Sequence, residues 1–186
     1  LGLDGNPVFN EDIDSTNGPV NFNQWYNPVT GVNQCTDYDM VLIFDESTGK
    51  YTFTDGGIAG GFFPIDNQLF GNEAKPHNYH FTMESKATFE YQPGLFFTIN
   101  GADDDTFVFI NGKLVIDLGG LHPASQATAS INLDDPMWVN DLGLIPGEQA
   151  SFSLFFAERQ STGSNLLIET NIPFTGVNQG QCDAPA

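Results

Sequence analysis

Three consecutive carboxylates, Asp103-Asp104-Asp105, stand at the head of the apolar run Thr106-Phe107-Val108-Phe109-Ile110. Clustered carboxylates repel one another and attract hard cations. Calcium, which takes roughly six to eight oxygens from carboxylates, carbonyls and amides, suits them best. Adjacent residues on a regular strand point to opposite faces, so neighbouring aspartates converge on one ion only where the backbone departs from that geometry, as a cis peptide would make it do. A second polar stretch, Glu158-Arg159-Gln160-Ser161-Thr162-Gly163-Ser164-Asn165, follows another apolar run and can turn carbonyls and amides toward the same ion. Two aspartates, one amide and two carbonyls would leave coordination positions for water or for neighbouring sugar hydroxyls. The competing reading is an acidic turn that is simply solvated.

These residues need rigid elements to hold them. Seventeen Phe and 20 Gly, with Val, Ile and Thr in short alternating runs, favour half-buried strands joined by tight turns. Ten strands are expected, at 39–44, 50–54, 78–84, 87–91, 95–99, 106–110, 113–117, 128–133, 151–157 and 166–172. Asn111-Gly112 between two of them tolerates the positive φ of a two-residue hairpin. No helical period is sustained over three turns. The expected fold class is all-β, a two-sheet antiparallel β-sandwich or barrel with long calcium-binding loops. Its 186 residues fit a single domain, 1–186, with an irregular N-terminal wrap over 1–36 and a C-terminal tail over 173–186. Asp4, Glu11, Asp12 and Asp14 crowd the wrap without EF-hand spacing.

The chain carries 24 acidic against 5 basic residues, a formal charge of −19. That charge repels phosphate backbones and anionic membranes, so nucleic acid and membrane insertion are not expected, and bound cations should relieve the self-repulsion. Cys35 and Cys182 have no zinc-type spacing and are expected to form one disulfide in an oxidising compartment. The abrupt start at Leu1 reads as a module excised from a longer protein.

Several motifs, in order over most of residues 20–172, resemble the fibro-slime domain. They are Phe22-Asn23-Gln24-Trp25-Tyr26, Phe62-Phe63-Pro64-Ile65-Asp66, Gly71-Asn72-Glu73, His77 to Thr82, the aspartate triplet, Phe109 to Val115, Asp117-Leu118-Gly119-Gly120, and Phe155 to Arg159 through Gly163-Ser164-Asn165. That domain is similar to the protective-antigen-type lectin domains of yeast flocculins and bacterial repeats-in-toxin adhesins. The resemblance implies a Ca2+ held by Asp104 and Asp105, with Gln160 and carbonyls near Thr162 and Ser164, where the yeast members carry asparagine in place of Gln160. Sugar would be met by Asp104, Asp105, Gln160 and Ser161. It further implies a monomeric, non-enzymatic lectin module of an extracellular bacterial cell-surface adhesin, binding glycans such as fucose, glucose or mannose. Residues 134–141, with Met137 and Trp138, read as an insertion.

Three alternatives stay open. A glycosidase would use Asp104, Asp105 or Glu158, although contiguous carboxylates are poorly placed for opposite faces of a sugar. A calcium-stiffened spacer is the second. The third is a protein-binding module anchored at Met137 and Trp138. His77 and His80 are read as structural, and Arg159 as the partner of Glu158 or a nearby aspartate.

Overall fold

The computed structural model describes residues 1–10, 16–57 and 60–178. Glu11, Asp12, Asp14 and Cys182 lie outside the described residues, and Cys35 is disulfide-bonded. Among the described residues ten strands form two antiparallel five-stranded sheets, a β-sandwich. They are β1 (Ile43–Asp45), β2 (Lys50–Thr54), β3 (Thr82–Glu90), β4 (Phe96–Ala102), β5 (Asp105–Ile110), β6 (Lys113–Leu118), β7 (Ala129–Asn132), β8 (Gln149–Ala157), β9 (Leu166–Thr170) and β10 (Thr175–Asn178). One sheet runs β1-β2-β9-β4-β7 and the other β10-β3-β8-β5-β6, so among the described residues each keeps two edges and no barrel closes.

The inward side chains of both sheets meet in one apolar cluster. Phe62 is fully buried at its centre, with ring centroids 5.6, 5.8 and 5.5 Å from Phe53, Phe81 and Phe156. Along β8 the period-two alternation gives way to continuous burial from Phe152 to Ala157. The cause is a second cover. Residues of the N-terminal wrap pack on the outer face of the second sheet, where Tyr26 meets Phe155 edge-on at 5.0 Å and Trp25, Phe22 and Phe9 follow in a chain of ring contacts. Both faces of β8 are therefore dry from Phe152 to Ala157.

Asn111 and Gly112 take φ of 49° and 76°, the paired positive values of a type I′ hairpin turn joining β5 to β6. Elsewhere the boundaries differ from the sequence reading. The two strands expected at 78–84 and 87–91 are one strand, β3, which starts only after His80 breaks the extended path at φ 60°. Ser85-Lys86 resembles a turn in sequence but lies mid-strand, opposite Leu154 and Ser153 in a continuous ladder with β8. Most of the strand expected at 39–44 is unpaired and only β1 remains. The expected tail contains β10. Two short α-helices appear among the described residues, α1 (Pro19–Phe22) and α2 (Pro136–Leu142). The presumed insertion at 134–141 is α2 with its cap: Asp135 accepts from the Met137 N–H, Pro136 opens the helix and Gly143 closes it in the left-handed region. Trp138 packs against the core and Met137 is exposed.

Candidate functional site

Strand pairing builds the site. β4 pairs with β9 in one sheet and β5 with β8 in the other. The chain must cross between sheets twice, from β4 to β5 through Asp103-Asp104 and from β8 to β9 through residues 158–165. These crossovers lie side by side because the strands they join are neighbours. The Asp103 N–H donates to the Asn165 carbonyl (3.0 Å) and the Asp104 N–H to the Ala157 carbonyl (3.0 Å), which zips them together. The loop after β6 supplies the third wall of a cleft of about 440 Å³, faced by Asp103, Asp104, Glu158, Gln160, Thr162 and Asn165 and, across from them, by Leu121 and His122.

The carboxylates there are buried. Asp103, Asp104 and Glu158 are 9%, 3% and 2% exposed. Asp103 Oδ2 accepts from Asn165 Nδ2 (2.6 Å), and Asp104 Oδ2 from the Arg159 N–H (2.9 Å). Glu158 Oε1 accepts from the Gln160 N–H (2.7 Å), whereas its Oε2 is buried without a hydrogen-bond partner. Ser164 Oγ lies near enough to favour the Glu158 carboxylate but makes no hydrogen bond of normal geometry. Burial, and secondarily the negative charges of Asp104 and Asp103, push the Glu158 pKa up to about 8. Asp55 extends the cluster from the turn after β2. Its Oδ1 accepts from the Leu166 N–H (2.6 Å), and its pKa is raised, first by burial and also by Asp103.

Of the residues singled out from sequence, Asp104, Gln160 and Thr162 face this cleft. Asp105 does not. Its Oδ1 accepts from the Gly120 N–H (2.8 Å) and its Oδ2 lies 2.6 Å from Arg159 Nε, so Arg159 pairs with Asp105 and not with Glu158. Asp104 and Asp105 are thus committed to different surroundings, and no cis peptide joins any described residues. Asp103 is the aspartate that shares the cleft with Asp104. Ser164 is fully buried and its carbonyl accepts from the Phe62 N–H (2.7 Å), while Ser161 is exposed beside the cleft. Among the described residues no three His, Cys, Asp or Glu side chains stand in a metal-chelating arrangement, so any ion needs amide or backbone oxygens as well. His77 is not on a strand; it stacks on Phe63 at 3.8 Å and its Nδ1 lies 2.7 Å from Asp66 Oδ2.

No family model matches the chain. It is similar to three Dictyostelium discoideum proteins among others: psiQ, 38% identical over 98% of this chain, psiR, 35% identical over 98%, and psiE, 42% identical over 77%. The chain spans 19% of psiQ, 19% of psiR and 28% of psiE. An anti-sigma factor domain-containing protein from Clostridium clariflavum superposes with a TM-score of 0.36 at 13% identity, covering 69% of this chain and 36% of that one, which is too loose for any argument. These relatives overturn the expected place of the chain in a bacterial cell-surface adhesin, since the proteins it resembles along its length are eukaryotic. The lectin role was carried by that adhesin kinship and is withdrawn with it.

Sequence reasoning missed the parts played by Asp103, Asp55 and Asn165. Asp55-Gly56-Gly57 is legible as a turn, but its approach to Asp103 depends on β2 pairing with β9. The cleft wall also relies on Gly61, whose φ of 135° lies where only glycine is unstrained and whose Cα faces the Ser164 carbonyl. Gly61→Ala is expected to cost more than about 1 kcal/mol and to shift the 158–165 loop. Urea denaturation, together with amide shifts of residues 160–165, checks this.

Proposed function

We propose that the chain is a non-catalytic module that takes up a hard divalent cation, calcium, in the cleft between its two sheet crossovers. The ion would draw together the 158–165 loop, the Asp103-Asp104 crossover and the wall that follows β6. Asp103, Asp104 and Glu158 do not stand in a chelating arrangement without the ion, so the 158–165 loop would have to move for them to supply carboxylate oxygens, with amide oxygens from Gln160 and Asn165, a donor set without nitrogen or sulfur that suits calcium over transition metals.

The supporting observation is Glu158, which lines the cleft beside two other carboxylates and whose Oε2 is buried with only the poorly aligned Ser164 hydroxyl near it. An unsatisfied buried acceptor is costly, and like charges beside it add to the cost. A divalent cation removes both penalties at once. The formal charge of −19 favours a bound cation as well. Glycoside hydrolysis is the weaker reading, because it needs carboxyls on either side of the scissile bond, and here two are adjacent in the chain and Asp105 is occupied by Arg159.

Calorimetric titration of chelator-treated chain is expected to show one calcium site and weaker magnesium binding. At a calcium concentration of about 100 Kd, unfolding free energy should rise by about 2.7 kcal/mol. The Asp103→Asn, Asp104→Asn double variant should lose both heat and stabilisation while Asp105→Asn keeps them. An absence of heat and of any stability change at millimolar calcium would reject the proposal.

A further inference from the structure

The N-terminal continuation of β1 is built like a strand but has no strand beside it. Tyr38, Met40 and Leu42 pack against the core while Asp37, Asp39, Val41 and Ile43 face solvent, the alternation of an edge strand. Yet residues 36–41 enter no strand pairing and no backbone–backbone hydrogen bond among the described residues, and β1 itself is the edge of its sheet. Backbone donors and acceptors along such a segment are a template for another strand.

The outward stripe specifies what kind. Val41 and Ile43 are 62% and 64% exposed, side by side on the solvent face. Asp37 and Asp39 precede them and Asp45-Glu46 follow. Asp45 is satisfied by Ser47 and Thr48, but Asp37 and Asp39 have no ion-pair partner among the described residues. The chain's own cations are engaged elsewhere: Lys50 with Glu169, Lys86 with Glu84, Lys113 with Asp141 and Arg159 with Asp105, while Lys75 lies over Tyr79. No Lys or Arg of the chain therefore offsets the charge of this edge, which leaves it complementary to a basic segment. A second copy of the chain would bring the same acids to the same edge and a charge of −19 with it.

We propose that residues 37–45 are a docking edge for an extended segment of a partner polypeptide, one with alternating apolar side chains flanked by lysine or arginine. Such a segment adds as a further strand of the sheet. Main-chain hydrogen bonds supply affinity, the Val41-Ile43 pair sets register, and the flanking acids select basic partners. This edge does not depend on the cation cleft.

The probe is a synthetic peptide of about nine residues, the length of an edge strand, with valine and threonine alternating between paired lysines. Added to the isotope-labelled 186-residue chain, it should shift amide resonances of residues 37–45 and strengthen at low salt. Ile43→Ser and Asp39→Lys, both on the solvent face, should each weaken it at least about tenfold without changing the melting temperature. Val41→Pro, which removes one edge donor, should do the same. The proposal is overturned if a peptide with glutamates replacing the lysines binds as well, or if the shifts fall elsewhere. It is equally overturned if the chain alone dimerises and Ile43→Ser abolishes the dimer, for then a second copy is the occupant.

Discussion

Arg159→Ala is expected to destabilise the chain by about 3–5 kcal/mol, the cost of leaving one member of a buried ion pair without the other. Asp105 is 2% exposed and its Oδ2 faces the guanidinium at 2.6 Å. With the arginine gone, the carboxylate would keep only the Gly120 N–H. Burial already raises the Asp105 pKa despite the opposing pull of Gly120 and Arg159, so the variant should bury a neutral acid or unfold. The arginine also spans layers: its guanidinium lies 5.3 Å from the Trp25 ring, joining the N-terminal wrap to the end of β8. Tyr26 beside it has a buried hydroxyl whose pKa is raised well above normal by burial and then by Asp105, a shift Arg159 moderates. Removing the pair together tells the two costs apart. Arg159→Met with Asp105→Leu should recover most of the stability lost by Arg159→Ala, because no orphan charge remains. Urea midpoints of the two single variants and the double variant measure this. A midpoint scarcely moved by Arg159→Ala would mean that the pair does not hold this corner together.

That pair shows where the sequence stops being legible. Three adjacent aspartates announce a site, but which of them faces the cleft depends on which one Arg159 takes, and Arg159 is 54 positions from Asp105 in the chain. The hairpin at Asn111-Gly112 was readable because its signal is local: both residues accept positive φ and apolar runs flank them. The capping of α2 was local too, with Asp135, Pro136 and Gly143 in the right order, yet a helix of seven residues is too short to show a period. β3 was read as two strands because its middle residues are polar, and nothing local says that they pair throughout in a ladder nine residues long. The cleft is the least local feature of all. It exists because β4 lies beside β9 and β5 beside β8, and pairings at that separation are fixed by packing of the whole sandwich.

The same cleft makes the response of stability to pH a test of the cation. In the ion-free fold the Glu158 pKa is about 8 against an ordinary value of 4.5. Between those limits the folded chain holds a proton that the unfolded chain releases. Stability must therefore fall as pH rises through that window, by at most about 1.4 kcal/mol per pH unit for a single proton. Glu158→Gln keeps the shape and removes the titration, so the difference between wild type and variant isolates this group from the other acids. The variant is expected to gain on the wild type steadily from pH 5 to pH 8 without calcium. Calcium reverses the sign, since the ion prefers the ionised carboxylate and its binding expels the proton. Calcium should then stabilise the wild type more at pH 8 than at pH 6, with proton release visible as a heat that depends on the buffer. Glu158→Gln should show neither the pH-dependent gain nor the released proton. If the variant keeps the wild-type slope in chelator, Glu158 is not the titrating group; if it keeps the full calcium response, the buried orphan oxygen is not a ligand and the cation reading of the cleft fails.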